Sequence, residues 1–233
     1  MTSTDVQAPA DLSAGKVLLI TGALFAIYVG GAALFPNAIV NQENGELGFL
    51  ENAQAAALAA AFVASLFLLP RARAAGGNGL LIWCALISLG LFYTLGEEIS
   101  WGQHYFGWAT TGWFERYNDQ GETNLHNTSS WFDQKPRALL LLGMIVGGII
   151  HPLVKLARKG RGLFDKPWWL APTLAATPPA VLAELAALPE RLDDALGTSL
   201  QFYRSSEVEE FFLYAFLFVY VLSLLRRTRP GKA

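Results

Sequence analysis

The chain has 233 residues, 53% of them apolar and only 15% charged, and its mean hydropathy is +0.34. Soluble domains carry about 25% charged residues, so the balance is that of a membrane protein. A net charge of −2 and a pI near 5.9 give no reason to expect a nucleic-acid partner. The single cysteine, Cys84, excludes an intramolecular disulfide and a thiolate metal centre.

The polar segment Met1 to Ala14 contains Asp5 and Asp11 but no Lys or Arg. A secretory leader needs a basic start and a short apolar core, so the first apolar run is expected to be retained behind a disordered tail over 1–14. A spanning helix needs about 20 mostly apolar residues. Val17 to Phe35 is the first such run, and the alanine-rich stretch Asn52 to Leu69 is the second. Leu80 to Leu95 is the third, expected to continue to Trp101, and Ala138 to Leu156 is the fourth. Trp168 to Leu188 is a weaker fifth, interrupted by Pro172, Pro178 and Pro179 and carrying Glu184. Phe211 to Leu225, beginning near Glu207, is the sixth, and residues 230–233 form a short tail. The expected fold is therefore all-α: one membrane domain over 15–229 with about six transmembrane helices and a structured outer loop over 96–137.

Six spans put Lys16, Arg71, Arg73, Lys155, Arg158, Lys159, Arg161, Lys166, Arg226, Arg227, Arg229 and Lys232 on one face. The positive-inside rule makes that face cytoplasmic, with both termini inside. Of the 19 acidic residues, all but Asp5, Asp11 and Asp165 fall toward the other face, with Glu184 inside helix five, and there the loops Pro36 to Glu51, Gly96 to Arg137 and Pro189 to Ser206 lie. The middle loop is long for a compact bundle, and long loops are often functional. It contains Trp101, Trp108, Trp113 and Trp131, side chains suited to the headgroup layer. The expectation is of interfacial helices folded over the bundle mouth.

Ionisable residues at the edge of a hydrocarbon span are costly and by default mark a site. Glu97 and Glu98 occupy that position, and His104 and His126 follow within the loop. If helix three runs past Leu95, Glu97, Trp101 and His104 share one face at spacings of four and three. Glu98 then diverges by about 100°. On a helix, Glu122 and His126 also align, with Asn124 and Asn127 beside the histidine. Glu207 and Glu210 align at the start of helix six, and Glu51 and Asn52 open helix two at the same end.

Several of these residues have simpler readings. Glu207 and Glu209 complement a helix dipole behind Ser205 or Ser206. Glu97 and Glu98 sit at a helix C-terminus, where the dipole disfavours acids, so they need partners, with Arg116, Arg137 or Arg204 available for salt bridges. His104 suits an interfacial position, His126 a hydrogen-bonding one, and His151, before Pro152, local packing or backbone bonding.

The blocks Glu97-Glu98-Ile99-Ser100-Trp101-Gly102-Gln103 and Glu122-Thr123-Asn124-Leu125-His126-Asn127 resemble those of a group of bacterial multi-pass membrane proteins. The resemblance implies an inner-membrane location in a bacterium and carries no activity with it. The alkaline-ceramidase-like hydrolases, with three zinc-binding histidines and an aspartate on seven spans, offer an analogy of architecture only, since this chain lacks their paired late histidines.

The expected function is an integral membrane enzyme at the outer leaflet, a metal-assisted hydrolase or transferase acting on a lipid or lipid-linked substrate. Glu97, Glu98, Glu122 and His126 are the catalytic candidates. Glu98, His126 and Glu210 are the candidate ligands for a divalent metal such as zinc. Trp101, Gln103 and Asn124 are expected to shape the substrate pocket. Two alternatives stand beside it: a small transporter or cation-binding protein, and an accessory subunit that docks a partner through the outer loop. The expected partners are the bilayer and a lipid substrate, and small-residue stretches such as Gly147-Gly148 leave oligomeric state open.

Overall fold

The computed structural model describes residues 11–34, 48–197 and 204–229, and all regular elements among them are helical. The expected disordered tail (apart from residues 11–14), most of the first outer loop and the C-terminal tail lie outside the described residues. Within the first of these, Asp11 is held against the bundle, accepting a hydrogen bond from Ser223 Oγ at 2.7 Å.

Helix α1 covers Ala14–Leu34. Helix α2 covers Phe49–Glu98, 50 residues, or about 75 Å at 1.5 Å per residue. It is bent back on itself: Gly76 (φ −148°, ψ 17°) and Gly77 (φ 68°, ψ −162°) are non-helical, and the second conformation is open only to glycine. The two limbs lie side by side, with Phe62 and Phe92 in ring contact at 5.6 Å. The second and third expected helices are thus the arms of one hairpin, whose turn carries Arg71 and Arg73 close by.

Past Glu98 the expected helix stops. Ser100 (φ 45°) and Trp101 (φ 56°) are left-handed, which turns the chain out of the α2 axis. The loop beyond contains two short helices, α3 (Gln103–Phe106) and α4 (Trp113–Tyr117), and a 3₁₀ turn at His126–Thr128. Trp101, Trp108, Trp113 and Trp131 are all exposed.

Helix α5, Ser130–Gly143, runs without a break through a π-helical stretch, Met144–Ile150, into α6, His151–Ala157. Buried His151 accepts the backbone N–H groups of Leu163 and Phe164 at its Nδ1, both at 3.1 Å, and so anchors the basic loop that follows. The fifth expected helix is displaced. Residues 168–173 are irregular, and α7 is Thr177–Leu196. The physical reason is proline: Pro178 and Pro179 fall in the first turn, where their missing N–H groups cost nothing. Helix α8, Ser205–Arg227, closes the fold.

Among the described residues, four helices are long and apolar enough to cross a membrane: Ala14–Leu34, Phe49–Glu98, Gln134–Ala157 and Ser205–Arg227. Helix α8 is the central one. Val208, Phe212, Leu213 and Phe216 pack with Leu58, Ala61 and Leu91 from both limbs of α2 and with Ala180, Ala183 and Ala186 of α7. At the hairpin-turn end, Tyr220 and Leu224 pack with Leu68, Ala72, Leu80 and Cys84. At the opposite end, the start of α2, the end of α2, the start of α5 and the start of α8 come together around a polar cavity.

Candidate functional site

That cavity has a volume of about 260 Å³. Each α2 limb contributes to it, Glu51 and Gln54 from the first and Tyr93, Glu97 and Glu98 from the second. Arg137 comes from α5, Glu207, Glu210 and Tyr214 come from α8, and Arg204 precedes that helix. Glu122 and His126 enter from the loop. All five expected catalytic and metal-ligating residues therefore meet at one place, although they arise from sequence positions up to 113 residues apart.

Their roles within it differ. Glu97 is buried and saturated with donors. Trp101 Nε1–H donates to its Oε1 at 2.9 Å, and the backbone N–H groups of Leu125 and His126 donate to its Oε2 at 2.6 and 2.9 Å. His126 Nδ1 lies 3.6 Å from the same Oε2. Glu122 is the second buried hub, accepting at Oε2 from Ser100 Oγ (2.8 Å), Asn124 Nδ2 (2.5 Å) and Asn127 Nδ2 (3.0 Å). His104 Nε2 stands 3.7 Å from its other oxygen. The expected helical alignments of Glu97 with His104 and of Glu122 with His126 are not formed, because the chain is irregular between them.

The two sequence blocks are instead clasped to one another. Ser100 Oγ also accepts from Asn124 Nδ2 at 2.8 Å, and Gln103 Oε1 accepts the Thr123 N–H at 2.7 Å. Asn118 braces the second block, donating to the Asn124 carbonyl and side-chain oxygens and accepting the Glu122 N–H. Left-handed residues such as Ser100 and Trp101 persist only where their surroundings over-determine them, and these bonds do so. Gln103 and Asn124, expected to touch substrate, are absent from the cavity lining and belong to the clasp. Trp101 covers Glu97 from outside, with its indole against Gly96, where a Cβ would lie 2.8 Å from the ring.

On the cavity side, Tyr214 OH donates to Glu98 Oε2 at 2.9 Å. Arg137 bridges Glu209 and Glu210, both at 2.8 Å, and Arg191 reaches Glu209 at 2.6 Å. Arg204, itself left-handed at φ 55°, pairs with Glu51 and with Glu207 at 3.2 Å. These arginines are thus the partners of the α8 and α2 N-terminal acids, not of Glu97 and Glu98. Glu207 and Glu209 are ion-paired and not merely placed in the helix dipole.

Glu98, His126 and Glu210 are divided among Tyr214, Glu97 and Arg137. Among the described residues no group of three or more His, Cys, Asp or Glu side chains is disposed to hold a metal ion. Burial works to lower the pKa of His126. The Glu97 carboxylate, helped by Glu98 and Glu122, outweighs it and raises the value above 6.5.

Gln54 and Tyr214 were not expected here. Their signal was in the chain: Gln54 is an amide set among the alanines of the second span, and Tyr214 follows Glu210 by one helical turn.

Comparison with protein-family models, with curated proteins and with solved structures finds no match.

Proposed function

We propose that the protein is an integral membrane enzyme that transfers or hydrolyses a group on a lipid or lipid-linked substrate, working by acid–base chemistry at the outer face. The reading rests on one observation: a solvent-reachable imidazole, His126, is oriented by a buried carboxylate, Glu97, at the rim of a polar cavity inside an otherwise apolar bundle. A histidine held by a carboxylate is a general base able to take the proton of water or of an acceptor hydroxyl. Glu98, Glu210 and Tyr214 face the same space and can return a proton to a leaving oxygen. Arg137 and Arg204 hold the acids of α2 and α8 in register.

The reading includes six membrane passages. The α2 hairpin counts as two, because about 75 Å of helix exceeds a hydrocarbon core of about 30 Å more than twofold, and α7 counts as the fifth. With the basic segments inside, both termini are cytoplasmic, the cavity opens outward, and the membrane is a bacterial inner membrane.

The test is turnover of a panel of labelled lipids by purified protein in nanodiscs, wild type beside His126→Ala and Glu98→Gln. The expected result is a product that disappears about 10²–10⁴-fold in His126→Ala, with the fold retained. Equal turnover in wild type and His126→Ala overturns the assignment.

A further inference from the structure

The polar cavity does not end among its acids. A second, apolar cavity of about 500 Å³ shares Thr94 and Leu140 with it and runs down the bundle between the second limb of α2, the π-helical stretch and α8. Leu86, Gly90, Leu139, Gly143, Met144 and Phe216 are among its walls. Exposed Leu86 and Leu139 leave its flank open to the side. Its inner end is closed, because Trp83 Nε1–H donates to Tyr220 OH at 2.8 Å and Tyr220 OH donates to the Trp169 carbonyl at 2.7 Å. From Thr94 to Trp83 the groove follows eleven residues of helix, about 16 Å.

The polar end also has a definite character. Six carboxylates line it (Glu51, Glu97, Glu98, Glu122, Glu207 and Glu210) against two guanidiniums and one imidazole. Two acceptor atoms are left over. Gln54, only 1% exposed, donates from Nε2 to the Glu207 carbonyl at 2.7 Å, which fixes its amide orientation, and its Oε1 has no donor among the described residues. Glu51 Oε2 is buried and equally lacks one. Unpaired buried acceptors are costly, so both call for a ligand that donates, and the surplus of carboxylates calls for one that is positively charged.

We propose that the two cavities together bind one amphiphile, its ammonium head among Glu51, Gln54 and Glu210 and its single apolar chain in the groove closed by Trp83 and Tyr220. This rests on the reading of the cavity as a lipid site and names the substrate class: a long-chain amine or an amine-headed lipid. An anionic head finds both arginines already engaged by carboxylates and meets a surplus of negative charge.

The test is native mass spectrometry of the full-length protein, released from nanodiscs, with equimolar dodecylamine, dodecyl phosphate and dodecanol, and separately with butylamine and with zinc or magnesium alone. Dodecylamine should be retained at least tenfold over the other two chains and over butylamine. Gln54→Leu and Glu51→Gln should each reduce that retention about tenfold. Gly90→Leu and Gly143→Leu should do the same by filling the groove, since a Cβ added at either position meets no atom within 4 Å, and an unchanged melting temperature in each variant checks that the fold is kept. Equal retention of all three heads, preference for the phosphate, butylamine held as tightly as dodecylamine, or a stoichiometric metal that displaces the amine each overturns the proposal. Retention of amine without turnover of any lipid overturns the enzyme reading and leaves this one standing. Turnover of an anionic lipid without amine retention does the reverse.

Discussion

Glu97 and His126 meet twice, once through the backbone N–H of His126 at 2.9 Å and once through its ring at 3.6 Å, both on the same carboxylate oxygen. The acid at the end of α2 therefore fixes both the position of the loop and the direction of the imidazole it carries. Because Leu125 and Trp101 share that carboxylate, its loss leaves three N–H donors without an acceptor. Hydrogen bonds to charged groups contribute about 1.5–3 kcal/mol each. Glu97→Ala should therefore lower stability by at least about 3 kcal/mol and release the loop first. Amide hydrogen exchange at Leu125 and His126 should accelerate before the bundle melts, whereas protection unchanged from wild type would count against the clasp.

The same pair gives a pH dependence. The folded pKa of His126 is raised above 6.5, first against burial and then by Glu97, Glu98 and Glu122. Its contribution to stability is complete below pH 6.5 and disappears as pH rises through the folded value. The melting temperature of wild type should exceed that of His126→Asn at about pH 5.5 and converge on it by about pH 8.5. General-base activity needs the neutral ring, so the rate should climb over the interval in which this stability is lost. A gap between the two proteins that widens with pH would contradict the pairing.

Gly96 lies against the indole of Trp101. Gly96→Ala should force the ring away from Glu97 at about 1–3 kcal/mol, the usual cost of overpacking. A red-shifted tryptophan emission and faster exchange of the indole N–H would register the movement. An unchanged emission spectrum in a stable variant would mean that the ring is not seated there.

Gly77 adopts a conformation that residues with a Cβ avoid, costing of order 1–3 kcal/mol. Gly77→Ala should destabilise by about that amount while leaving the polar cavity's chemistry intact, since the turn lies at the far end of the bundle. Denaturation in mixed micelles reads the stability and turnover reads the site, and a variant as stable as wild type would remove the hairpin from the account.

Orientation is tested by cysteine accessibility in a Cys84→Ala background. Arg73→Cys and Arg158→Cys should resist an impermeant maleimide in intact cells, and Arg116→Cys should react. The opposite pattern would invert the topology and place the cavity in the cytoplasm.

The helical class and the apolar runs could be read from hydropathy alone, because a span must be long and apolar whatever it packs against. The neighbourhood of Glu97, Glu98, His126 and Glu210 was also readable, since charge at a span's edge is costly enough to need a reason. What the residues do there was not. Glu97 and Glu122 are bound to partners through an irregular loop, and spacing rules that assume a helix cannot find those partners. The prolines of the fifth run were readable as an obstacle but not as a helix start. Arg137 and Arg204 were visible as free cations, yet which acids they meet depends on how α5 and α8 approach, a tertiary fact.

The wide turn from Met144 to Ile150 can be regarded as a phase device. An α-helix advances about 100° per residue, and a π-helical stretch carries an added residue within its turns. Everything before it is thereby rotated relative to everything after it. Arg137 and Leu140 face the cavity on one side of the stretch, while His151 faces its own loop on the other. Removing one residue between 144 and 150 would restore regular winding and turn Arg137 about 100° from Glu210, disconnecting the site from the anchored basic loop without changing a residue in either.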